Sequence, residues 1–203
     1  MSKPIQPRIF CLDLEGVLIP EIWIEVAKKF KINALKLTTR DISDYDKLMR
    51  YRLEILRKQN IRLEDIQKVI GSMQLLPGAA VFLKKLQTYG PVIILSDTYY
   101  EFAMPFMKKL NYPVLFCNSL EQDKHGFISN YKIRIRDGKK KAVQAFKKLA
   151  FTVKAAGDSY NDLTMIKSAH GGVLFNPPGK IIKTHPDVPT AKKYSQLLQK
   201  LLS

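Results

Sequence analysis

Four short apolar runs, each closing on small, polar or acidic residues, govern what this chain can fold into. They are RIFCL at 8–12, GPVIILSD at 90–97, FTVKAAGDS at 151–159 and GGVLFNP at 171–177. Each is too short for a core helix and has the β-prone composition of a strand buried on both faces. Helical patterns lie between them: GAAVFLKKLQTYG (78–90), YEFAMPFMKKLNY (100–112) and KKKAVQAFKKLAF (139–151). In the second, Pro105 is expected to displace or kink the first turn. This alternation predicts an α/β fold, a Rossmann-like parallel sheet flanked by helices. Such sheets bind ligands at the carboxyl ends of their strands, and Asp13, Asp97 and Asp158 all fall there.

Residues 20–75 break the alternation. After Pro20, the EIWIEVAKKF segment places Trp23, Val26, Ala27 and Phe30 on one helical face, and DYDKLMRYRLEILRKQ (44–59) aligns Tyr45, Leu48, Arg52 and Ile55. RLEDIQKVIGSM (62–73) is a third helical segment, and Pro77-Gly78 marks the return to the sheet. The expected organisation is a catalytic core of residues 1–19 and 76–203, with a small helical cap over 20–75 inserted after the first strand. Alternation in YKIRI and the DKHG turn make 114–136 a strand-and-hairpin excursion.

Composition narrows the function. No run approaches 18 apolar residues, so no membrane span is expected, and MSKPIQPR lacks the apolar core of a secretory leader. Cys11 and Cys117 sit among apolar neighbours as expected of buried thiols in the cytosol, and the three histidines show no zinc-ligand spacing with them. Thirty-four Lys and Arg against 18 Asp and Glu give a net charge of +16, which raises a nucleic-acid partner. The lysines are spread, though, through AKKFK, LKKL, MKKL, GKKKA, FKK and AKKY, mostly as the solvated faces of amphipathic helices. No dedicated nucleic-acid role and no membrane partner is expected, and the chain suits a monomer or homodimer.

Asp13 and Glu15 leave the first strand on the same side. Either the pair ends a strand in solvent, or a cation or a reaction uses two like charges held this close. Ser96-Asp97-Thr98 stands where a strand turns into a helix, a place suited to holding phosphate oxygens, although Thr98 alone reads as an N-cap for helix 100–110. DGKKK puts three cations in a helix's first turn, where the macrodipole disfavours them. Arg52 shares a face with apolar residues, an awkward position from which it could still reach solvent. Glu21 suits a helix start on its own account, and Asn161 either opens a helix or touches a substrate.

Asp13-x-Glu15, Ser96-Asp97-Thr98, a lysine at 139–141 and GDSYND (157–162) together resemble the haloacid dehalogenase superfamily of aspartate-nucleophile phosphatases. DLEGVLIPEIWI, TTRDISDYD, ILSDTYYEF and AAGDSYND extend the resemblance to the branch that combines phosphoserine phosphatase with phosphoserine:homoserine phosphotransferase activity. That resemblance implies Asp13 as nucleophile, Glu15 as general acid/base and Lys139 as the neutraliser of phosphate charge. It implies Mg²⁺ held by the Asp13 carboxylate, the Glu15 carbonyl and Asp158, with Asp162 supporting them. It also implies that Arg52 clamps an α-carboxylate and Glu21 an α-amino group, that Ser96, Asp97 and Lys139 surround the phosphate, and that Asn161 touches substrate. The implied substrates are phosphoserine and homoserine. The alternatives are another small phosphomonoester, such as a nucleotide or vitamin phosphate, and a basic nucleic-acid-binding protein with a vestigial site.

Overall fold

The computed structural model describes residues 7–38, 41–42 and 44–203. The start of the chain read for a leader (1–6) and residues 39, 40 and 43 of TTRDISDYD lie outside them. Among the described residues, β1 (Arg8–Leu12), β2 (Val92–Tyr99), β3 (Val114–Gln122), β4 (Ile128–Lys132), β5 (Thr152–Gly157), β6 (Gly171–Phe175) and β7 (Thr190–Ala191) form one sheet. Its order is β4-β3-β2-β1-β5-β6-β7, with every neighbouring pair parallel except β3 and β4. The parallel α/β sheet expected from the sequence is therefore the one that forms.

Period-two alternation sends the side chains of β1 to opposite faces. Phe10 and Leu12 join the apolar layer that includes Phe82, Leu86, Phe102 and Leu197, from α4 (Ala79–Gln87), α5 (Tyr100–Lys109) and α9 (Tyr194–Leu202). Ile9 and Cys11 join the opposite layer with Val143, Met165, Ile166 and Ile181, from α6 (Gly138–Lys148), α7 (Leu163–Ser168) and α8 (Gly179–Thr184). Burial on both faces explains why β1 reads as a continuous apolar run.

Between β1 and α4 stand α1 (Ile22–Phe30), α2 (Tyr45–Lys58) and α3 (Leu63–Ser72), with α1 packed on α3 and α3 on α5. Asp44 caps α2 by accepting the amides of Asp46 and Lys47 at 2.9 and 3.1 Å. The two strands of chain that enter and leave this helical unit are tied together, Leu76 N donating to Leu18 O at 3.0 Å. Tyr194, stacked against Phe82 and Phe175, donates its hydroxyl to Val17 O at 2.7 Å. The β3–β4 hairpin braces the unit from the side. Arg57 of α2 meets Asp123 at 2.5 Å and covers the Phe127 ring, and Tyr131 donates to Asp46 at 2.6 Å.

Two local expectations change. The first turn of α5 is not displaced, because the helix runs from Tyr100 through Pro105. Proline cannot bond the Glu101 carbonyl, but Gln67 of α3 donates to that oxygen at 3.0 Å. The YKIRI alternation is only partly strand. β4 ends at Lys132, and the Arg134 amide donates to the Asn118 side chain rather than to a ladder partner. Among the described residues, no helix is long and apolar enough to cross a membrane.

Both cysteines are unpaired and buried, and desolvation pushes each thiol up to about 12. A neutral thiol is a poor nucleophile. Folded protein at pH 8 is expected to leave Ellman's reagent unreacted over minutes, with both thiols titrating once guanidinium unfolds the chain.

Candidate active site

β2, β1 and β5 are neighbours, so their carboxyl ends carry Ser96–Thr98, Asp13 and Asp158 to one sheet edge. The chain crosses to β2 on one side of β1 and to β5 on the other, which opens a crevice between them. A cavity of about 350 Å³ lies there, and the helical insertion supplies its other wall through Glu21, Trp23, Tyr45 and Arg52.

Lys139 is the centre of the charge arrangement. Its ammonium is buried, 2.8 Å from Asp162 Oδ1, 3.0 Å from Asp13 Oδ1 and 3.3 Å from Asp97 Oδ2. Burial works against its charge, but the three carboxylates outweigh burial and hold its pKa well above the ordinary lysine range. The helix rule that three lysines violate is broken for this contact: Lys139 turns inward, and Lys141 is exposed.

Asp162 is fully buried and saturated with donors. Its Oδ2 accepts the amides of Asp158 and Ser159 and the Ser159 hydroxyl, each at 3.0 Å, while Oδ1 takes Lys139. It therefore shapes the 158–159 turn. Two glycines make room for these carboxylates. A Cβ on Gly157 would collide with Asp162, and one on Gly16, whose φ is +72°, would collide with Asp158.

Asp13 uses Oδ1 for the Leu14 amide at 2.8 Å and for Lys139, with no hydrogen bond to Oδ2 among the described residues. Burial and the neighbouring Asp162 raise its pKa well above the usual carboxylate value, against the pull of Lys139. Glu15 accepts the Ile22 amide at 2.8 Å, and burial together with the charge of Glu21 pushes it up to about 7. Thr98 does not cap α5. It lines the cavity with Glu15, and the cap position belongs to Tyr99. The Ser96 hydroxyl, buried at the cavity wall, accepts the Thr98 amide at 3.3 Å.

Carboxylate oxygens of Asp13, Asp158 and Asp162 lie within 4.8 Å of one another. Burial, Asp162 and Glu21 push Asp158 up to about 7, so this cluster is short of positive charge. With Asp162 committed to its four donors, Asp13 and Asp158 are the pair with capacity for a cation. An all-oxygen donor set fits Mg²⁺.

Arg52 is 6% exposed and lines the same cavity. Its guanidinium lies 4.5 Å over the Trp23 ring and donates to Leu37 O at 2.7 Å, while Nε has no partner among the described residues. Beside it the Tyr45 and Tyr99 hydroxyls meet at 2.6 Å. Glu21 and Asn161 border the cavity and are themselves exposed. Thus Asp13, Glu15, Glu21, Arg52, Ser96, Asp97, Lys139, Asp158 and Asn161 all reach one cavity, and Asp162 stands behind it. Trp23, Thr98 and Tyr99 were not legible as cavity residues, because each reads locally as a core or cap position.

The family description of a haloacid dehalogenase-like hydrolase matches residues 7–170. The chain belongs to that family. It is an enzyme of the haloacid dehalogenase-like hydrolases, 49% identical over 195 residues to phosphoserine phosphatase ThrH of Pseudomonas aeruginosa, covering 96% of this chain and 95% of that protein. A phosphoserine phosphatase of Pseudomonas syringae pv. tomato is 45% identical over 195 residues, 96% of this chain and 82% of the relative. The solved structure of a phospho-aspartyl intermediate analogue of phosphoserine phosphatase shares the fold at a TM-score of 0.79, with 18% identity over 97% of this chain and 99% of that one.

Replacing Lys139 by methionine keeps the length of the side chain and leaves buried carboxylates without their counter-charge. Lys139→Met in this haloacid dehalogenase-like hydrolase is expected to lower the unfolding free energy in urea by roughly 3 kcal/mol.

Proposed function

We propose that this protein is a Mg²⁺-dependent phosphoserine phosphatase that also passes the phosphoryl group from phosphoserine to homoserine. In this reading residues 20–75 are a lid over a core of 1–19 and 76–203. The observation that carries it is Arg52, a buried guanidinium with an unpartnered Nε in the same cavity as Asp13 and Lys139. A phosphate ester is already served by Lys139, whereas an amino-acid carboxylate matches a second cation with a guanidinium fork. The relatives named phosphoserine phosphatase support the same substrate.

In this reading each residue takes a part in phosphoryl transfer. Asp13 attacks phosphorus in line with the seryl oxygen, and Lys139 with Ser96 and the amides near Asp97 and Thr98 neutralises the equatorial oxygens. Glu15 gives its proton to the departing seryl oxygen, and an aspartyl phosphate remains on Asp13. Glu15 then takes the proton of the acceptor hydroxyl as that oxygen attacks the phosphoryl group and frees Asp13. Water as acceptor gives phosphate, and homoserine gives homoserine phosphate. Arg52 and Glu21 hold the carboxylate and amino group of donor and acceptor alike, and Asn161 contacts the substrate at the rim. Asp13, the Glu15 carbonyl and Asp158 would hold Mg²⁺, which supplies charge compensation between an anionic nucleophile and an anionic ester. The buried thiols suit a reducing compartment, and the cytosol is the setting we propose.

The deciding experiment supplies phosphoserine with and without homoserine and follows phosphate and homoserine phosphate separately. Phosphate release diverted into homoserine phosphate is expected. Undiverted release reduces the reading to a phosphatase, and no turnover of phosphoserine beside turnover of other monoesters overturns the substrate. Arg52→Ala is expected to lower kcat/KM for phosphoserine about 10–100-fold while sparing p-nitrophenyl phosphate. Mg²⁺ at a hundredfold excess over Kd is expected to raise Tm by about 5–10 °C, and Asp158→Asn to abolish that rise.

A further inference from the structure

β2 and β3 stay in register up to Leu95 opposite Phe116, and the next pair is Tyr99 opposite Asn118. Four steps along β2 thus match two along β3, so Ser96, Asp97 and Thr98 bulge out of the ladder. A bulge deprives backbone groups of their regular partners, and those away from water need substitutes. The Asp97 carbonyl finds one in Asn118, whose Nδ2 donates to it at 2.9 Å.

The other end of the same side chain is also engaged. Asn118 Oδ1 accepts the Arg134 amide at 3.0 Å. Arg134 lies on the segment that leaves β4 and enters α6, the helix carrying Lys139. Its guanidinium is laid over the Phe116 ring at 4.8 Å, so the segment is held at two points. Asn118 is buried, which makes both bonds hard to replace with water. Only a carboxamide presents a donor and an acceptor side by side at this spacing.

We propose that Asn118 is a positioning residue of the phosphoryl-transfer site, fixing the Ser96–Thr98 bulge at a set distance from the approach to Lys139. It touches neither phosphate nor nucleophile. It acts through the Asp97 backbone on one side and the Arg134 backbone on the other, and so adds a direct tie between segments that also meet through Lys139, the sheet and the packing of α6 on β2. The inference rests on reading Ser96–Thr98 and Lys139 as the groups that face phosphate. A shift of about 1 Å between such groups is enough to lower turnover on the order of 100-fold.

Two variants separate the contacts. Asn118→Asp keeps the shape and the acceptor for Arg134 but sets a carboxylate oxygen against the Asp97 carbonyl. Asn118→Ser removes both bonds. Kinetics with phosphoserine and with p-nitrophenyl phosphate are run beside amide hydrogen exchange of the peptides over 96–99 and 134–140. For Asn118→Asp, kcat is expected to fall about 10–100-fold on both esters with KM changed less than about 3-fold, and 134–140 to keep its protection. For Asn118→Ser, both peptides are expected to exchange faster while those from β1 and β5 do not. Undiminished kcat in Asn118→Asp, or unchanged exchange of both peptides in Asn118→Ser, overturns the proposal. Wild-type protein that uses p-nitrophenyl phosphate but not phosphoserine, with the same response to Asn118, overturns the substrate and leaves the positioning role standing. Should wild type use neither ester, the exchange of the Asn118→Ser peptides decides alone.

Discussion

Everything at the sheet edge depends on one ammonium among carboxylates. Taking Lys139 out of water is unfavourable by several kcal/mol unless its partners are close and well bonded. Asp13, Asp97 and Asp162 meet that condition, and each brings a separate piece of chain with it: the end of β1, the end of β2 and the turn after β5. The lysine therefore sets the spacing of three loops as well as their charge. Asp162 extends the effect by gathering the Asp158 and Ser159 amides, and the glycines at 16 and 157 are the space these carboxylates need.

The same cluster sets a local charge opposite to that of the whole molecule. Asp13, Asp97 and Asp162 surround one lysine and Asp158 lies beside Asp13 and Asp162, while the molecule as a whole carries +16. A clustered set of carboxylates within a basic molecule gives the sheet edge a local potential unlike that of the chain as a whole. The helical insertion adds a different recognition surface: Trp23 lies beneath the Arg52 guanidinium and holds a charge that burial alone would expel. The sheet edge thus supplies the clustered carboxylates and the lysine, and the helical unit supplies a guanidinium over an aromatic ring.

Strand identity was legible because strands buried on both faces are mostly apolar, and β1, β2, β5 and β6 each carry such a run. Asp13, Asp97 and Asp158 stood out as the acids that close such runs. Lys139 stood out by breaking the helix-dipole preference, although only tertiary contacts distinguish it from Lys140 and Lys141. Other features depend on pairings between distant segments. Thr98 reads as a helix cap until it is seen lining the cavity with Glu15, and Trp23 reads as a core residue until Arg52 lies over it. Asn118 carries no local signal at all, since its role arises from a register shift between β2 and β3. Pro105 misleads for the same reason: the bond that rescues its helix comes from Gln67, on another element.

Among the described residues β1 is the first strand, and it lies at the middle of the sheet, with β2 on one flank and β5 on the other. During synthesis it leaves the ribosome long before either flank exists. The whole insertion and α4 are made before β2, and β5 begins only at Thr152. At ordinary translation speeds β1 waits on the order of ten seconds for its second neighbour. Until β2 is made the strand has two open edges, and from then until β5 is made one edge stays open. The order in which the nascent chain is delivered thus leaves Asp13, at the end of that strand, to gain its setting among the last features of the fold.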